Sequence, residues 1–189
     1  MSFKNKKKQK LKRFGMFGKL NKLEEASFLI EGGQLYEALD FLNDAVRQYP
    51  LEARFWELLA AVADELKDIP TMQQAFAKLT QLQPRNADGW FGLAYSYALD
   101  SRLALSVRGF REFLRRFPDD EHRADAAEML EMAEKDLWRN LAQFSFPEGE
   151  AGLELACLHE EAQILMNRHE FEEAKKKAVQ FIGQIPDFV

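Results

Sequence analysis

The sequence predicts an all-α fold, a solenoid of helix pairs stacked side by side, with about nine helices. Three observations carry that prediction. Residues 51–118 hold two successive stretches of 34 residues with matching positions: Trp56 recurs as Trp90, Leu59 as Leu93, Ala60 as Ala94, Ile69 as Leu103, Phe76 as Phe110 and Pro84 as Pro118. The same period extends outward, because Leu35, Ile69, Leu103, Leu137 and Phe171 are all apolar, and Pro50, Pro84, Pro118 and Pro186 share one ruler. A small-residue track runs through Ala26, Ala60, Ala94 and Ala162, broken only by Glu128. Small residues mark where two helices approach closely, large apolar residues fill the space between them, and a proline past the second helix stops it from continuing.

The elements follow in chain order. Residues 1–18 are expected to be a disordered basic arm, because like charges repel from Lys4 to Arg13 and Gly15 and Gly18 break any helix. The solenoid is expected over 19–189, with repeat units at about 19–50, 51–84, 85–118, a degenerate 119–150, and 151–186. Helices over 19–31 and 34–48 turn at Gly32-Gly33; Leu20, Leu23, Ala26, Leu29 and Ile30 recur at helical spacing in the first, and Leu35, Ala38, Leu42 and Ala45 in the second. The next pair spans 52–66 and 69–82, with Pro70 in a first turn where a missing N–H costs little. A third pair spans 87–100 and 102–116, and Asn86, Ala87 and Asp88 offer the N-terminal cap. The fourth unit has Gly152 where proline is due, and no Gly or Pro from Asp120 to Gln143. That stretch reads as one long helix, with a kink near Lys135-Asp136 as the alternative, and Asp119 and Asp120 at its start suit the helix dipole. Residues 145–150 form a loop before a last pair at about 151–167 and 170–184. Phe181, Ile182, Ile185 and Phe188 would leave an apolar C-terminal edge, which marks either a fragment of a longer array or a self-associating surface.

This pattern resembles the tetratricopeptide repeat (TPR). Trp56, Leu59, Ala60, Ala63, Ile69, Phe76 and Pro84 match that family's signature, as do Trp90, Leu93, Ala94, Tyr97, Phe110 and Pro118. The first unit departs from it, with Lys22 in place of the tryptophan and Glu25 in place of the leucine. Its turn, Gly33-Gln34-Leu35-Tyr36-Glu37-Ala38, is close to the family's, and His169-Glu170-Phe171-Glu172-Glu173-Ala174 repeats it. The resemblance covers about residues 17–189. It implies a right-handed α-solenoid and a non-catalytic scaffold or adaptor that holds a peptide or helix of a partner protein in a concave groove.

Composition sets further bounds. There is no run of 18 apolar residues for a membrane-spanning helix, and no apolar stretch follows the basic N-terminus as a secretory signal would require. Cys157 is alone, so no intrachain disulfide forms, which suits the reducing cytoplasm; with no His or acid motif around it, it reads as a small buried hydrophobe. The net charge of −5 is unevenly spread. Residues 1–22 carry nine cations and no acid, leaving 17 of the 26 basic residues against all 31 acidic ones. The arm, with Lys6, Lys7, Lys8, Lys10, Lys12 and Arg13 at its centre, is read as a solubilising tail that folds back on the acidic body; the sharper alternatives are weak contact with nucleic acid or with an anionic membrane.

Catalytic constellations with workable spacing are absent from the sequence. No phosphate-cradling glycine loop or nucleophile elbow is present. His159-Glu160 begins like a zinc-protease helix, but residue 163 is Gln where the second His is needed. No catalytic residue, cofactor or metal ligand is therefore assigned, and an enzyme is the weak reading.

In the resembled family the first helix of each pair lines the groove. By register, that wall holds Leu23, Ser27 and Ile30, then Arg54, Glu57, Ala61, Asp64 and Glu65, then Asp88, Phe91, Tyr95 and Leu99. Phe91 and Leu99 have packing between helices as their alternative role. The family's clamp for chaperone C-terminal carboxylates needs cations that are missing at Leu23, Ser27, Ala61, Phe91 and Tyr95. Carboxylates with two exposed aromatics instead suit a basic, partly apolar partner segment. The protein's own arm has that composition, which makes it a candidate occupant in cis or in a neighbouring molecule. Competing functions are a nucleic-acid-associated protein that uses the arm, and an accessory domain of a larger multidomain protein.

Overall fold

The computed structural model describes residues 18, 20–143 and 146–184. The arm cations from Lys4 to Arg13, Ser145, and the edge residues Ile185, Pro186 and Phe188 lie outside the described residues. Among the described residues the chain is all helical, with nine helices and no strand. They are α1 (20–31), α2 (Leu35–Gln48), α3 (Ala53–Leu66), α4 (Ile69–Leu82), α5 (Ala87–Leu99), α6 (Leu103–Arg116), α7 (Arg123–Gln143), α8 (Glu150–Asn167) and α9 (Phe171–Gly183). Each is a helix for reasons visible in its residues. Pro70 occupies the first turn of α4, and the Asp68 side chain accepts the Thr71 amide there. The Asn86 side chain accepts the Gly89 amide and caps α5.

The period is written into the turns as well as the core. Gly33, Lys67, Ser101 and His169 all have positive φ. Four of the five positions spaced 34 apart from residue 33 are therefore left-handed. Each closes its helix with the same pair of bonds. The amides of Gln34, Asp68, Arg102 and Glu170 reach back to the carbonyls of Leu29, Ala63, Tyr97 and Leu165, and the left-handed residue itself bonds three residues back. This is the Schellman closure of a helix C-terminus. The missing member is Lys135, where α7 runs straight through for 21 residues. The helix starts at Arg123 rather than at Asp120, because residues 120–122 turn first and the Asp120 side chain accepts the His122 amide at 3.0 Å.

The chain divides into two compact units, Met1–Arg85 and Asn86–Val189. In the first, α2 packs on α3 and α3 on α4. Its core joins Ala26, Leu42, Phe55, Trp56, Leu59, Ala60 and Leu79, among others. The Trp56 indole N–H donates to the Pro50 carbonyl at 3.0 Å, which ties the helix to the preceding turn. Lys22, which stands in the slot of a tryptophan, lays its ammonium over the Phe41 ring.

In the second unit, α5 packs on α6, α6 on both α7 and α8, and α8 on α9. Ala94 and Gly109 mark a close crossing of α5 and α6, since a Cβ on Gly109 would stand 2.8 Å from the Ala94 Cβ. Two core clusters result. One gathers Ala94, Phe110, Phe113 and Ala126; the other gathers Ala104, Leu105, Leu137, Leu141, Leu153 and Cys157. Glu128 points to solvent while Ala126, two positions earlier, is fully buried. Gly152 lies against the Pro147 carbonyl, with no room for a Cβ. Towards the C-terminus Phe181 is half-buried beside Phe146 and His159, whereas Val179 and Ile182 are exposed.

Candidate functional site

In the first unit the α3 core face fixes what its opposite face must be. Phe55, Trp56, Leu59, Ala60 and Ala63 point inward. Arg54, Glu57, Leu58, Ala61, Asp64 and Glu65 therefore share the other side at helical spacing. Arg54 donates to Glu57 across 3.3 Å, and Lys67 to Asp64 across 3.1 Å. Ala61 and Glu65 are exposed. Facing this side is α1. A hollow of about 440 Å³ lies between the two helices, lined by Leu20, Leu23, Glu24, Ser27, Phe28, Glu31, Arg54 and Leu58.

Two of the expected α1 residues, Leu23 and Ser27, line that hollow; the third, Ile30, packs on the core instead. Sequence register missed Leu20, Glu24, Phe28 and Glu31. Their spacing of 20, 24, 28 and 31 is itself a helical stripe and was the available signal. Phe28 is 71% exposed, which is unusual for a phenylalanine on a helix with a defined core side.

In the second unit Asp88, Phe91 and Tyr95 share one side of α5. Phe91 and Tyr95 are half-buried rather than exposed, because an aromatic cluster covers them. Phe91 stacks on Tyr95 with ring centres 6.2 Å apart and on His122 at 4.7 Å, and meets Phe110 and Phe113 edge-on. Asp88 lies 3.8 Å from the His122 ring nitrogen. This part of the predicted wall is thus built into the packing of α5 against α6 and the start of α7.

Solved structures repeat this arrangement of helix pairs. The OM64 TPR domain of Arabidopsis superposes with a TM-score of 0.53 at 18% identity, over 64% of this chain and 97% of that one. YrrB, a TPR protein with an unusual peptide-binding site, gives 0.51 at 17% identity, over 88% of this chain and 86% of its own. The MamA RS-1 ArsTM double mutant gives 0.54 at 13% identity, over 88% and 93%. The chain has the tetratricopeptide-repeat fold. No family model and no curated protein sequence matches it.

On this TPR fold the second unit carries a further opening, about 680 Å³, among α5, α6 and α8. Its floor is apolar, from Trp90, Leu93, Leu105, Leu153 and Cys157, and its rim alternates arginine with glutamate. The rim charges neutralise one another. Arg111 donates to Glu134 at 2.8 Å and to Glu150 at 2.6 Å. Arg115 grips Glu112 with two hydrogen bonds and Arg116 adds a third, which together hold the Glu112 carboxyl down at about 2. Arg108 pairs with Glu161, which also receives Lys177 at 2.6 Å. Burial pushes the Cys157 thiol up to about 12, so it is not a nucleophile at neutral pH.

The contact that sequence reading missed most completely is Glu160. Its two carboxylate oxygens accept the Ala104 amide at 3.1 Å and the Leu105 amide at 2.9 Å. These are the second and third amides of α6, the ones an N-cap side chain normally satisfies. Arg102, at the N-cap itself, makes no such bond and instead donates to Asp100 and Gln163. Gln163 also sits 3.1 Å from His159, so the residues of the incomplete zinc-protease motif are engaged with one another and with Arg102. Among the described residues no group of three or more His, Cys, Asp or Glu is placed to hold a metal ion, and no helix is long and apolar enough to cross a membrane.

Proposed function

We propose that this chain is a non-catalytic interaction scaffold that takes up a basic, partly apolar helix or peptide of a partner protein on the α1/α3 face. One observation carries the reading. The hollow there combines exposed apolar surface, Phe28 and Leu20, with the carboxylates Glu24 and Glu31. Its single lining cation among the described residues, Arg54, is already held by Glu57. An amphipathic segment could place apolar anchors on Phe28 and Leu58 and its lysines beside the carboxylates. Asp88, Phe91 and Tyr95 on α5 pair acid with aromatic in the second unit, but there the rings are half-buried in packing, so that face is the lesser candidate. YrrB supports a peptide as ligand class, since a peptide-binding site is reported for that protein with the same fold. The lone, buried Cys157 supports action in a reducing, cytoplasmic setting.

The test uses a fluorescein-labelled synthetic peptide of leucine and lysine, with the leucines at i, i+3, i+4 and i+7 so that they share one helical face, titrated with the full chain and followed by anisotropy. Charge reversal at Glu24→Lys together with Glu57→Lys should weaken binding about ten-fold or more, and binding should fall as salt rises. Equal affinity of the parent and the doubly reversed chain would refute the assignment of this face.

A further inference from the structure

We infer that the basic arm of this chain, residues 3–17, is the resident occupant of the α1/α3 hollow in cis, so that partner binding is competitive with the protein's own N-terminus. This rests on the reading of that face as a binding surface, and names what regulates it.

Charge, attachment and reach all favour the arm. The arm holds seven cations from Lys4 to Arg13 and no acid, punctuated by Phe3, Phe14, Met16 and Phe17. The hollow holds the complement: Glu24 and Glu31 beside Phe28, Leu20 and Leu58, with its cation Arg54 paired to Glu57. The point of attachment is the edge of the site itself. Helical backbone is already present at residue 18, and Leu20 is the first lining residue. An occupant tethered there needs little reach. The lined face of α1, from residue 20 to 31, is about 16 Å long at 1.5 Å per residue, whereas fifteen residues of extended chain span roughly 50 Å. A short tether holds its ligand at an effective concentration near 1 mM. An arm with an intrinsic dissociation constant of about 0.1 mM would then fill the site about ten times in eleven, and lower the apparent affinity of an outside ligand about ten-fold.

The test compares the full chain with a full-length variant in which the seven cations from Lys4 to Arg13 are replaced by serine, using the leucine–lysine peptide as probe. The variant should bind the peptide about ten-fold more tightly, by a factor independent of protein concentration. Equal binding by the two chains overturns the arm as occupant and leaves the surface assignment standing. A gain that grows with protein concentration overturns the cis arrangement in favour of a neighbour's arm. Loss of peptide binding in both chains, with the helical spectrum unchanged, removes the surface assignment and this proposal with it.

Discussion

Removing the Glu160 carboxylate should uncap a helix that lies more than fifty residues upstream. The first turn of α6 has four amides that its own helix cannot satisfy. Two of them, from Ala104 and Leu105, donate to Glu160 on α8 at 3.1 and 2.9 Å. A hydrogen bond to a charged group is worth about 1.5–3 kcal/mol, and loss of an ordinary N-cap costs about 0.5–2 kcal/mol. Two such bonds at a partly buried site place the cost of Glu160→Ala at roughly 2–4 kcal/mol. Glu160→Gln should cost less, about 1 kcal/mol. Burial pushes the Glu160 carboxyl upward against the pull of the two amides, so the amide side chain keeps one acceptor and no longer has a charge to bury. Guanidinium unfolding of both variants measures these differences, and hydrogen exchange at Ala104 and Leu105 localises them. A cost for Glu160→Ala below about 0.5 kcal/mol, or unchanged exchange at those two amides, would refute the idea that α8 completes α6.

Three shorter predictions follow from the same unit. Cys157 is buried with its thiol raised to about 12; at pH 8 its thiolate fraction is on the order of a thousand-fold below that of a free cysteine. Maleimide should therefore label the native chain only on unfolding, and prompt stoichiometric labelling read by mass spectrometry contradicts this. Glu112 is held down at about 2, first by Arg115 and then by Arg116. Because its folded value is depressed, its stabilisation is complete above the ordinary carboxyl range and is lost as pH falls from about 4.5 towards 2. Allowing for solvent screening, Glu112→Gln should lower stability at pH 7 by about 1 kcal/mol, with the difference from the parent shrinking through that window; a difference that is flat with pH excludes the ion pairs as its source. In Gly152→Ala the new methyl would fall 1.9 Å from the Pro147 carbonyl oxygen. The gain in helix propensity of up to about 1 kcal/mol should be outweighed by strain of about 1–3 kcal/mol, and a higher melting temperature would count against the close approach.

What the sequence made legible was whatever repeats locally. The helix bounds follow from apolar spacing, from the Gly32-Gly33 turn and from its echo at His169, and the α3 part of the candidate face follows because Phe55, Trp56, Leu59 and Ala60 leave their opposite side no choice. The continuity of α7 was only half readable: no Gly or Pro interrupts Asp120 to Gln143, yet the chain also turns at Ser101 and His169 without either, so one helix and a break near Lys135-Asp136 both stayed open. Inside α7 the 34-residue ruler held at Leu137, which is buried, and failed at Glu128. It assigns Glu128 to the close-packed slot, yet Ala126 fills it, in line with Ala133, Leu137 and Leu141. Those four positions keep helical period among themselves, so a helix that loses its mid-unit turn obeys its own 3.6-residue spacing rather than the repeat. Packing of Phe91 was already open as the alternative to an exposed role, but what covers it was out of reach for a different reason. Its cover, His122, comes from the connection into α7, and only the tertiary path brings that ring within 4.7 Å. Glu160 combines both difficulties, because the glutamate has no local mark. The deficiency it answers does have one: Arg102 stands at an N-cap and has no oxygen to offer the next turn. A helix start without a competent cap leaves amides for water or a distant acceptor to satisfy, and at α6 that acceptor is Glu160, which adds to the shared core of Leu105, Leu153 and Cys157 and to the Arg108–Glu161 pair in joining α8 to α6.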